Sequence, residues 1–251
     1  MPDECVPLLG LHGWGAHEAI WQDPAGQRAV VPVQGLRLPE VTGQAQGYTV
    51  DALAIRLADA CPAPAVLLGW SLGGLVAMAW ALARPAQVRA LVLVSSTPSF
   101  IRRHGWPHGL EPGVLDAFAG AMRRDATATL RRFAALQVVG DEQARHVLAD
   151  LRQRLERAPL HDPATLAAGL ELLRDSDLRA RVHEIRCPVL VVHGAGDAVC
   201  PVGAGRALAD AIPHARLAIH DAVGHLPFLS QPGWFYSALS TFINETCRVG
   251  A

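Results

Sequence analysis

The feature that most constrains this chain is a glycine-serine turn between an apolar run and an Ala-rich run. Val66 to Leu68 is predicted as a buried strand, and Leu75 to Ala83 has the composition of a helix. Between them lies Gly69-x-Ser71-x-Gly73, the sequence of a nucleophile elbow, in which a tight strand-to-helix turn holds a serine at its tip. The alternative is a glycine-serine loop without chemistry. The strand before the motif and the helix after it favour the elbow.

Composition narrows the classes of protein to which the chain can belong. With 251 residues, 51% of them hydrophobic, it can bury a sizeable core. The formal net charge of −1 gives no reason to expect binding to nucleic acid or to an acidic membrane. No apolar run reaches about 18 residues, and the start, Met1 to Glu4, is acidic rather than basic. Neither a membrane span nor a signal peptide is therefore predicted.

The cysteines favour a reducing compartment. Five cysteines are scattered along the chain, and no Cys-x-x-Cys pair occurs. Reduced thiols in a cytoplasmic protein fit this pattern better than disulfides or a structural zinc site. We expect a cytoplasmic monomer that needs no metal and no cofactor.

Apolar strands alternate with helical segments over most of the chain. Because these strands are continuously apolar, they predict a parallel sheet covered by helices on both faces. The other predicted strands are Val6 to Leu11, Val88 to Ser95, Pro188 to Gly194, Leu217 to His220 and, less regularly, Ala29 to Val33. Helices are predicted from Val50 to Ala60 and from Gly233 to Glu245. The fold class is therefore α/β.

The stretch from residue 98 to 180 has a different pattern. It contains no β-rich run but four segments with helical spacing of apolar residues, the last opened by Asp162 as N-cap and Pro163 at the first helical position. Helices inserted between sheet segments predict a cap over the active-site end of the sheet, where it would exclude water and shape a substrate slot. We therefore divide the chain into a core, residues 1–97 and 181–251, and a helical cap, residues 98–180.

Three residues that follow predicted strands form a candidate catalytic triad. Ser71, Asp197 and His225 occur in the order nucleophile, acid, base that is typical of α/β hydrolases. A serine hydroxyl needs a base to take its proton, and the base needs an acid to fix its tautomer and stabilise the imidazolium. The competing acids are weaker candidates, since Asp221 lies only four residues before His225 and Asp177 lies in the cap.

The loop after the first strand is a candidate for half of an oxyanion hole. His12-Gly13-Trp14-Gly15 lies where such hydrolases place a second backbone donor. We expect the N–H groups of Trp14 and Leu72 to stabilise the oxyanion, an interaction that exists only in the transition state. The alternative is an ordinary glycine turn.

The cap carries an excess of positive charge. From Arg123 to Arg157 there are eight arginines against five acids, an excess of three in a nearly neutral chain. A solvated helical face is one interpretation, and a docking face for an acidic partner is the other, because Arg binds carboxylates and phosphates well.

Several segments along the chain, taken together, are more specific than the elbow alone. They are Leu11-His12-Gly13-Trp14-Gly15, Gly69-Trp70-Ser71-Leu72-Gly73-Gly74-Leu75-Val76-Ala77, Ser95-Ser96-Thr97-Pro98, Trp106-Pro107, Arg132-Phe133-Ala134-Ala135-Leu136-Gln137, Gly169-Leu170-Glu171 with Asp177-Leu178-Arg179, and Gly224-His225-Leu226-Pro227-Phe228. With these segments the chain resembles the α/β-hydrolase carboxylesterases of biotin synthesis, which hydrolyse the methyl ester of pimeloyl-acyl-carrier protein.

This resemblance implies an α/β-hydrolase fold and roles for further residues. The substrate contacts that it implies are Trp14, Trp70, Leu72, Phe133, Ala134, Ala135, Leu136 and Gln137. The cap positions implied to dock the acidic carrier protein are Arg124, Arg131, Arg132, Arg145 and Arg152. The chain departs from the family pattern at Gln34 to Gly43, where the Asp-Leu-Pro-Gly-x-Gly loop is degenerate, and its N-terminal hairpin is expected to be truncated.

We expect a serine esterase acting on pimeloyl-acyl-carrier protein methyl ester, with neither nucleic acid nor membrane as a partner. Two alternatives stay open at this point. One is a broad short-chain carboxylesterase or thioesterase without a carrier partner, and the other is a non-catalytic binding protein with a hydrolase fold.

Overall fold

The computed structural model describes residues 6–22, 32–41, 47–159 and 161–247. Within these residues six strands form one sheet in the order β2-β1-β3-β4-β5-β6, and every pairing is parallel. The strands are β1 (Leu8–Leu11), β2 (Val33–Leu36), β3 (Ala65–Trp70), β4 (Val88–Val94), β5 (Val189–Gly194) and β6 (Arg216–His220). The predicted parallel sheet is confirmed.

Helices connect the strands in the described part of the chain. They are α1 (Val50–Ala60), α2 (Leu72–Ala83), α3 (Pro112–Arg124), α4 (Ala126–Leu136), α5 (Ala144–Arg157), α6 (Pro163–Asp175), α7 (Val202–Ala211), α8 (Pro227–Ser230) and α9 (Pro232–Cys247). Single turns of 3₁₀ helix occupy Glu18–Trp21, Pro85–Gln87 and Val182–Glu184. None of the described helices has the length and apolar character needed to cross a membrane.

The central strands are buried on both faces, which explains their continuous apolar sequence. Because side chains alternate along a strand, Leu67 of β3 packs toward α1, α2 and α7, whereas its neighbour Leu68 packs toward α8 and α9. The sheet thus separates two apolar layers, and β3, β4 and β5 lie in the middle of the molecule.

The predicted elements agree closely with the structure, with differences at their ends. Helix α1 has the predicted bounds, whereas α2 begins at Leu72 instead of Leu75, because the helix starts directly after the serine of the elbow. Of the strand predicted from Ala29 to Val33, residues 29–31 lie outside the described residues, and β2 begins at Val33.

Four helices, α3 to α6, lie between β4 and β5 in the chain, and we call them the cap. The start of α6 matches its sequence, since the Asp162 carboxylate accepts a hydrogen bond from the Ala164 N–H and Pro163 is the first helical residue. The division into a core and a cap domain at residues 98 and 180 stays a prediction.

The buried centre of the sheet should dominate stability. Leu91 of β4 is fully buried, so Leu91→Ala should lower the free energy of unfolding by about 2–5 kcal/mol through lost burial and a residual cavity. Leu217 of edge strand β6 is 38% exposed, and Leu217→Ala is the matched control, with an expected loss of about 1 kcal/mol or less. Urea denaturation measures both losses, and equal losses would contradict this account of the core.

Candidate active site

The elbow holds Ser71 in a strained conformation between β3 and α2. Its backbone has φ 55° and ψ −118°, a region that serine rarely occupies. Hydrogen bonds hold both of its peptide groups: the Ser71 N–H donates to the Val94 carbonyl at 2.9 Å, and the Ser96 hydroxyl donates to the Ser71 carbonyl at 2.8 Å. The neighbouring strand β4 and the residues after it therefore maintain the strain.

Glycines make this turn possible because the surrounding chain leaves no room for side chains. A Cβ atom at Gly69 would lie 2.5 Å from the Cα of Gly74, and one at Gly73 would lie 2.3 Å from the Leu11 carbonyl oxygen. Both contacts are with backbone, which cannot move aside cheaply. The spacing of the motif is thus a steric requirement of the fold.

The structure brings the predicted acid and base together. Asp197 follows β5 and His225 follows β6, and Asp197 Oδ2 lies 2.8 Å from His225 Nδ1. The two loops touch at their glycines, since a Cβ atom at Gly194 would lie 2.2 Å from the Gly224 carbonyl oxygen. The parallel order of the strands explains this meeting, because their carboxyl ends share one edge of the sheet.

Asp197 is buried yet held as a carboxylate. Burial alone would raise the pKa of its carboxyl group, but the charge and hydrogen bond of His225, together with backbone N–H donors, bring the pKa below its ordinary value. Its second oxygen, Oδ1, accepts hydrogen bonds from the N–H groups of Val199 at 2.9 Å and Cys200 at 2.8 Å. A carboxylate at this place makes His225 Nδ1 the donor and leaves Nε2 as the basic nitrogen.

Trp70 connects the base to the elbow. Its indole N–H donates to the His225 carbonyl at 2.9 Å, and Trp70 directly precedes Ser71 in the chain. Within the described residues His225 Nε2 is buried and has no hydrogen-bond partner. The hydrogen bond between Ser71 and His225 is therefore not formed in this structure, and the transfer of a proton between them stays a prediction.

The residues that carry the predicted oxyanion donors belong to two segments close to the serine. Leu72 is the first residue of α2, where a backbone N–H has no partner within the helix. Gly13, next to Trp14, approaches the serine so closely that a Cβ atom there would lie 3.2 Å from the Ser71 Cβ. No described backbone carbonyl accepts the Trp14 N–H. The role of the Trp14 and Leu72 N–H groups as oxyanion donors stays a prediction.

A large cavity lies between the cap and the core. It has a volume of about 1120 Å³ and is lined mainly by apolar side chains, among them Trp14, Leu130, Phe133, Leu166 and Leu170. Trp14 connects the core to the cap, because its indole N–H donates to the Leu166 carbonyl of α6 at 2.9 Å. An apolar slot of this kind fits a hydrocarbon chain.

The comparison with known proteins now identifies the chain. The sequence profile of the alpha/beta hydrolase family matches residues 8–238. This chain belongs to the alpha/beta hydrolase family. A solved esterase from Exiguobacterium antarcticum has the same fold, with a TM-score of 0.85 at 23% identity over 95% of this chain and 92% of that one.

Two relatives are similar enough to bear on activity. A protein of Nitrosomonas europaea is 41% identical over 92% of this chain and 92% of its own length, and one of Aromatoleum aromaticum is 43% identical over 90% and 93%. Both are named pimeloyl-[acyl-carrier protein] methyl ester esterase.

The predicted substrate contacts divide into two groups in this hydrolase. Trp14, Trp70, Phe133, Ala134 and Gln137 line the cavity, whereas Leu72, Ala135 and Leu136 do not. For Ala135 and Leu136 the role of substrate contact stays a prediction that the lining of this cavity does not support. The 100° turn per residue of α4 carries these two away from the cavity side, and Leu136 is 42% exposed. Leu72 is buried and begins α2 directly after Ser71, and its contact with substrate stays a prediction.

The five predicted docking arginines are all exposed, and none of them forms an ion pair with a described acid. Arg131 and Arg152 also line the cavity and therefore lie at its rim, whereas Arg124, Arg132 and Arg145 lie outside the lining. Arg154 differs, since it is half-buried and pairs with Asp150 at 2.8 Å. Its guanidinium group therefore already forms an ion pair within the fold.

Sequence reasoning missed His193 as a neighbour of the acid. It is fully buried, its Nε2–H donates to the Cys200 carbonyl at 2.7 Å, and that nitrogen lies 3.5 Å from Asp197 Oδ2. Burial lowers the pKa of His193, so it stays neutral beside the carboxylate. Its position four residues before Asp197, at the end of β5, was the available signal.

His12 supports the Trp14 loop from within the core. Its Nδ1–H donates to the Gly13 carbonyl at 2.9 Å, and its Nε2 accepts from the Leu38 N–H at 3.1 Å. Burial, reinforced by the nearby His161 and His17, lowers the pKa of His12 to about 4. The folded state therefore requires a neutral ring here.

The His12 pKa predicts a pH dependence of stability. Between about pH 6.5 and pH 4 the unfolded chain binds a proton that the folded chain excludes, so stability is full above that range and falls as pH drops through it, by about 1.4 kcal/mol per unit. His12→Gln should remove this component, which is measured as the difference between the two proteins in urea denaturation across that range. The exposed His183 provides the control, His183→Gln. Parallel pH curves for wild type and His12→Gln would refute the assignment.

Proposed function

We propose that this chain is a serine carboxylesterase that hydrolyses the methyl ester of pimeloyl-acyl-carrier protein, yielding pimeloyl-acyl-carrier protein and methanol for biotin synthesis. The observation that carries the chemistry is the 2.8 Å contact between Asp197 and His225, together with the strained backbone of Ser71 at the elbow. The names of the two relatives, at 41% and 43% identity, support the substrate.

The first half of the proposed reaction forms an acyl-enzyme. Ser71 Oγ attacks the ester carbonyl carbon while His225 Nε2 takes the hydroxyl proton. The negative charge on the carbonyl oxygen is stabilised by the N–H groups of Trp14 and Leu72 and by the N-terminus of α2. When the intermediate collapses, the carbon–oxygen bond to the methoxy group breaks, and the methoxy oxygen takes the proton from His225 to leave as methanol.

The second half releases the acid. Water gives a proton to His225 Nε2 as it attacks the acyl carbon, and the serine oxygen recovers that proton as it leaves. In both halves the Asp197 carboxylate stabilises the imidazolium and keeps Nδ1 as the donor. The enzyme returns to its starting state without a cofactor entering any step.

The cavity supports the choice of a carrier-linked acyl chain. The methyl ester end must reach Ser71, so the acyl chain would occupy the apolar cavity and the carrier would remain at its rim. Arg131 and Arg152 lie at that rim with their charges unpaired by described acids. We propose that they, with Arg124, Arg132 and Arg145, dock the acidic carrier protein.

One observation favours a second candidate function. A volume of about 1120 Å³ slightly exceeds the usual range of small-molecule sites, which suits a broad carboxylesterase or thioesterase without a carrier. Monomeric state and cytoplasmic location stay predictions under either function.

The nucleophile assignment predicts the loss of activity in Ser71→Ala. A fluorophosphonate probe, which reacts with activated serines, should label the wild type but not the variant, and ester hydrolysis should fall by about 10⁴-fold or more. Ser237→Ala, which removes an exposed hydroxyl from α9, is the control and should keep full labelling.

The same pair of proteins tests the physiological function. Wild type, but not Ser71→Ala, should restore growth without biotin to a biotin-requiring strain that lacks its own esterase. Absence of labelling in wild type would favour the non-catalytic alternative. Labelling without rescue would favour the broad esterase.

The docking proposal predicts an effect confined to carrier-linked substrate. Arg131→Glu with Arg152→Glu reverses two charges at the rim, so kcat/KM for the carrier-linked methyl ester should fall by about tenfold or more, while that for the free methyl ester should change by less than about twofold. Arg132→Glu with Arg145→Glu tests the outer pair in the same assay.

A matched charge reversal supplies the control. Arg89→Glu with Arg206→Glu changes the net charge equally, but Arg89 is the second residue of β4, at the amino end of the strand, and Arg206 lies on α7. If all three double variants lose carrier-linked activity alike, the effect is one of total charge, and a specific docking face is ruled out.

A further inference from the structure

The turn between α4 and α5 belongs to the cap but is attached to the loop that carries the base. We call residues 137–142 the cap turn. The His225 N–H donates to the Gln137 carbonyl at 3.0 Å, and the Glu142 N–H donates to the Ala222 carbonyl at 3.1 Å. Two backbone hydrogen bonds therefore fix both ends of the cap turn to the loop between β6 and α8.

The same turn also contacts the loop of the acid. Gly140 has φ 78°, and a Cβ atom there would lie 2.3 Å from the carbonyl oxygen of Gly196, the residue before Asp197. The reverse approach is as close, since a Cβ atom at Gly196 would lie 2.4 Å from the Gly140 carbonyl oxygen. One segment of the cap thus packs against both halves of the Asp197–His225 pair.

Asp141 makes the side-chain contact of this segment. It is only 8% exposed, its Oδ1 accepts from the Gln143 N–H at 2.7 Å, and its Oδ2 accepts from the Gly224 N–H at 3.2 Å. The first bond orients the carboxylate within the cap, and the second holds the N–H of Gly224, the residue before His225. A hydrogen bond to a charged acceptor is stronger than one between neutral groups, and a buried N–H that loses its acceptor carries a desolvation cost.

The loop depends on such contacts because it has no regular structure of its own. Residues 221–226 belong to neither β6 nor α8, so ladder or helix bonds do not fix their backbone. Asp197 holds the imidazole ring of His225, and the Trp70 indole N–H holds the backbone carbonyl of His225. The N–H groups of Gly224 and His225 are both held by the cap turn.

We propose that Asp141 is a positioning residue that sets the place of His225 from the cap. This inference rests on the proposed function, since it requires His225 to be the base. It adds a link between substrate and base, because Gln137 lines the cavity and its carbonyl accepts the His225 N–H. The segment that holds His225 thus begins at a residue of the acyl slot.

The test separates positioning from stability. Asp141→Asn keeps the shape of the side chain but offers a single acceptor oxygen for the two N–H groups, and Asp141→Ala offers none. The control is Asp125→Asn, because Asp125 Oδ1 likewise accepts a backbone N–H within the cap, that of Ala128 at 2.9 Å, but makes no contact with the His225 loop. All three are compared with wild type in melting temperature, in kcat and KM for a free methyl ester, and in the rate of fluorophosphonate labelling.

We expect Asp141→Ala to lower kcat by about 10- to 100-fold, since small misplacements of a reacting group have effects of that size, with KM changed by less than about twofold. Labelling should slow in parallel, and Asp141→Asn should lie between wild type and Ala. Asp125→Asn should keep wild-type kcat at a similar melting temperature. Should Asp141→Ala fail to fold, Asp141→Asn decides the question.

Two results would overturn the inference, and they differ from each other. If wild type turns over and labels normally while Asp141→Asn and Asp141→Ala match the Asp125→Asn control in kcat, Asp141 supports the fold alone. If wild type itself neither labels nor turns over, the proposed triad fails, and the positioning role fails with it.

Discussion

The rest of the site depends on one buried interaction, the hydrogen bond between Asp197 and His225. A buried carboxylate is costly unless its oxygens are satisfied, and here three N–H donors satisfy them. The backbone donors come from the tight turn after β5, and the third is the imidazole itself. Because the acid stays charged, the base keeps one tautomer, and Nε2 is the buried nitrogen that has no hydrogen-bond partner among the described residues.

The topology explains why residues so distant in sequence can meet. Strands β3, β4 and β5 are neighbours in the sheet, and each ends at the same edge, so the loops after them converge there. Ser71 is held by β4 through the Val94 carbonyl, and the loops that carry Asp197 and His225 touch at Gly194 and Gly224. The fold thus supplies the alignment of the site from backbone contacts that leave no space for a side chain.

Features of the fold and site that depend on adjacent residues could be predicted from the sequence, whereas those that depend on distant residues could not. Local sequence patterns indicated the elbow, the strands around it and the order of Ser71, Asp197 and His225. The glycines that the turn requires and the apolar residues of each strand stand next to one another in the chain. The face of α4 was harder to predict: a motif covered Ala135 and Leu136 together with their neighbours, but helical rotation separates them. Asp141 had no signal, since its partner Gly224 is 83 residues away.

The position of the cap in the chain has a consequence for specificity. The cap begins after the carboxyl end of β4, the edge of the sheet where the catalytic loops lie, and its chain comes back to that edge before β5, since the Leu178 N–H donates to the Pro98 carbonyl at 2.9 Å. A turn inside the cap that folds back to this edge must pack on those loops, as the close approach of Gly140 and Gly196 shows. Gln137, which lines the cavity, is bonded through its carbonyl to the N–H of His225, the proposed base. Acyl preference and proton transfer cannot vary independently in such an arrangement, because a shift of α4 that widens the slot also moves the carbonyl that holds His225.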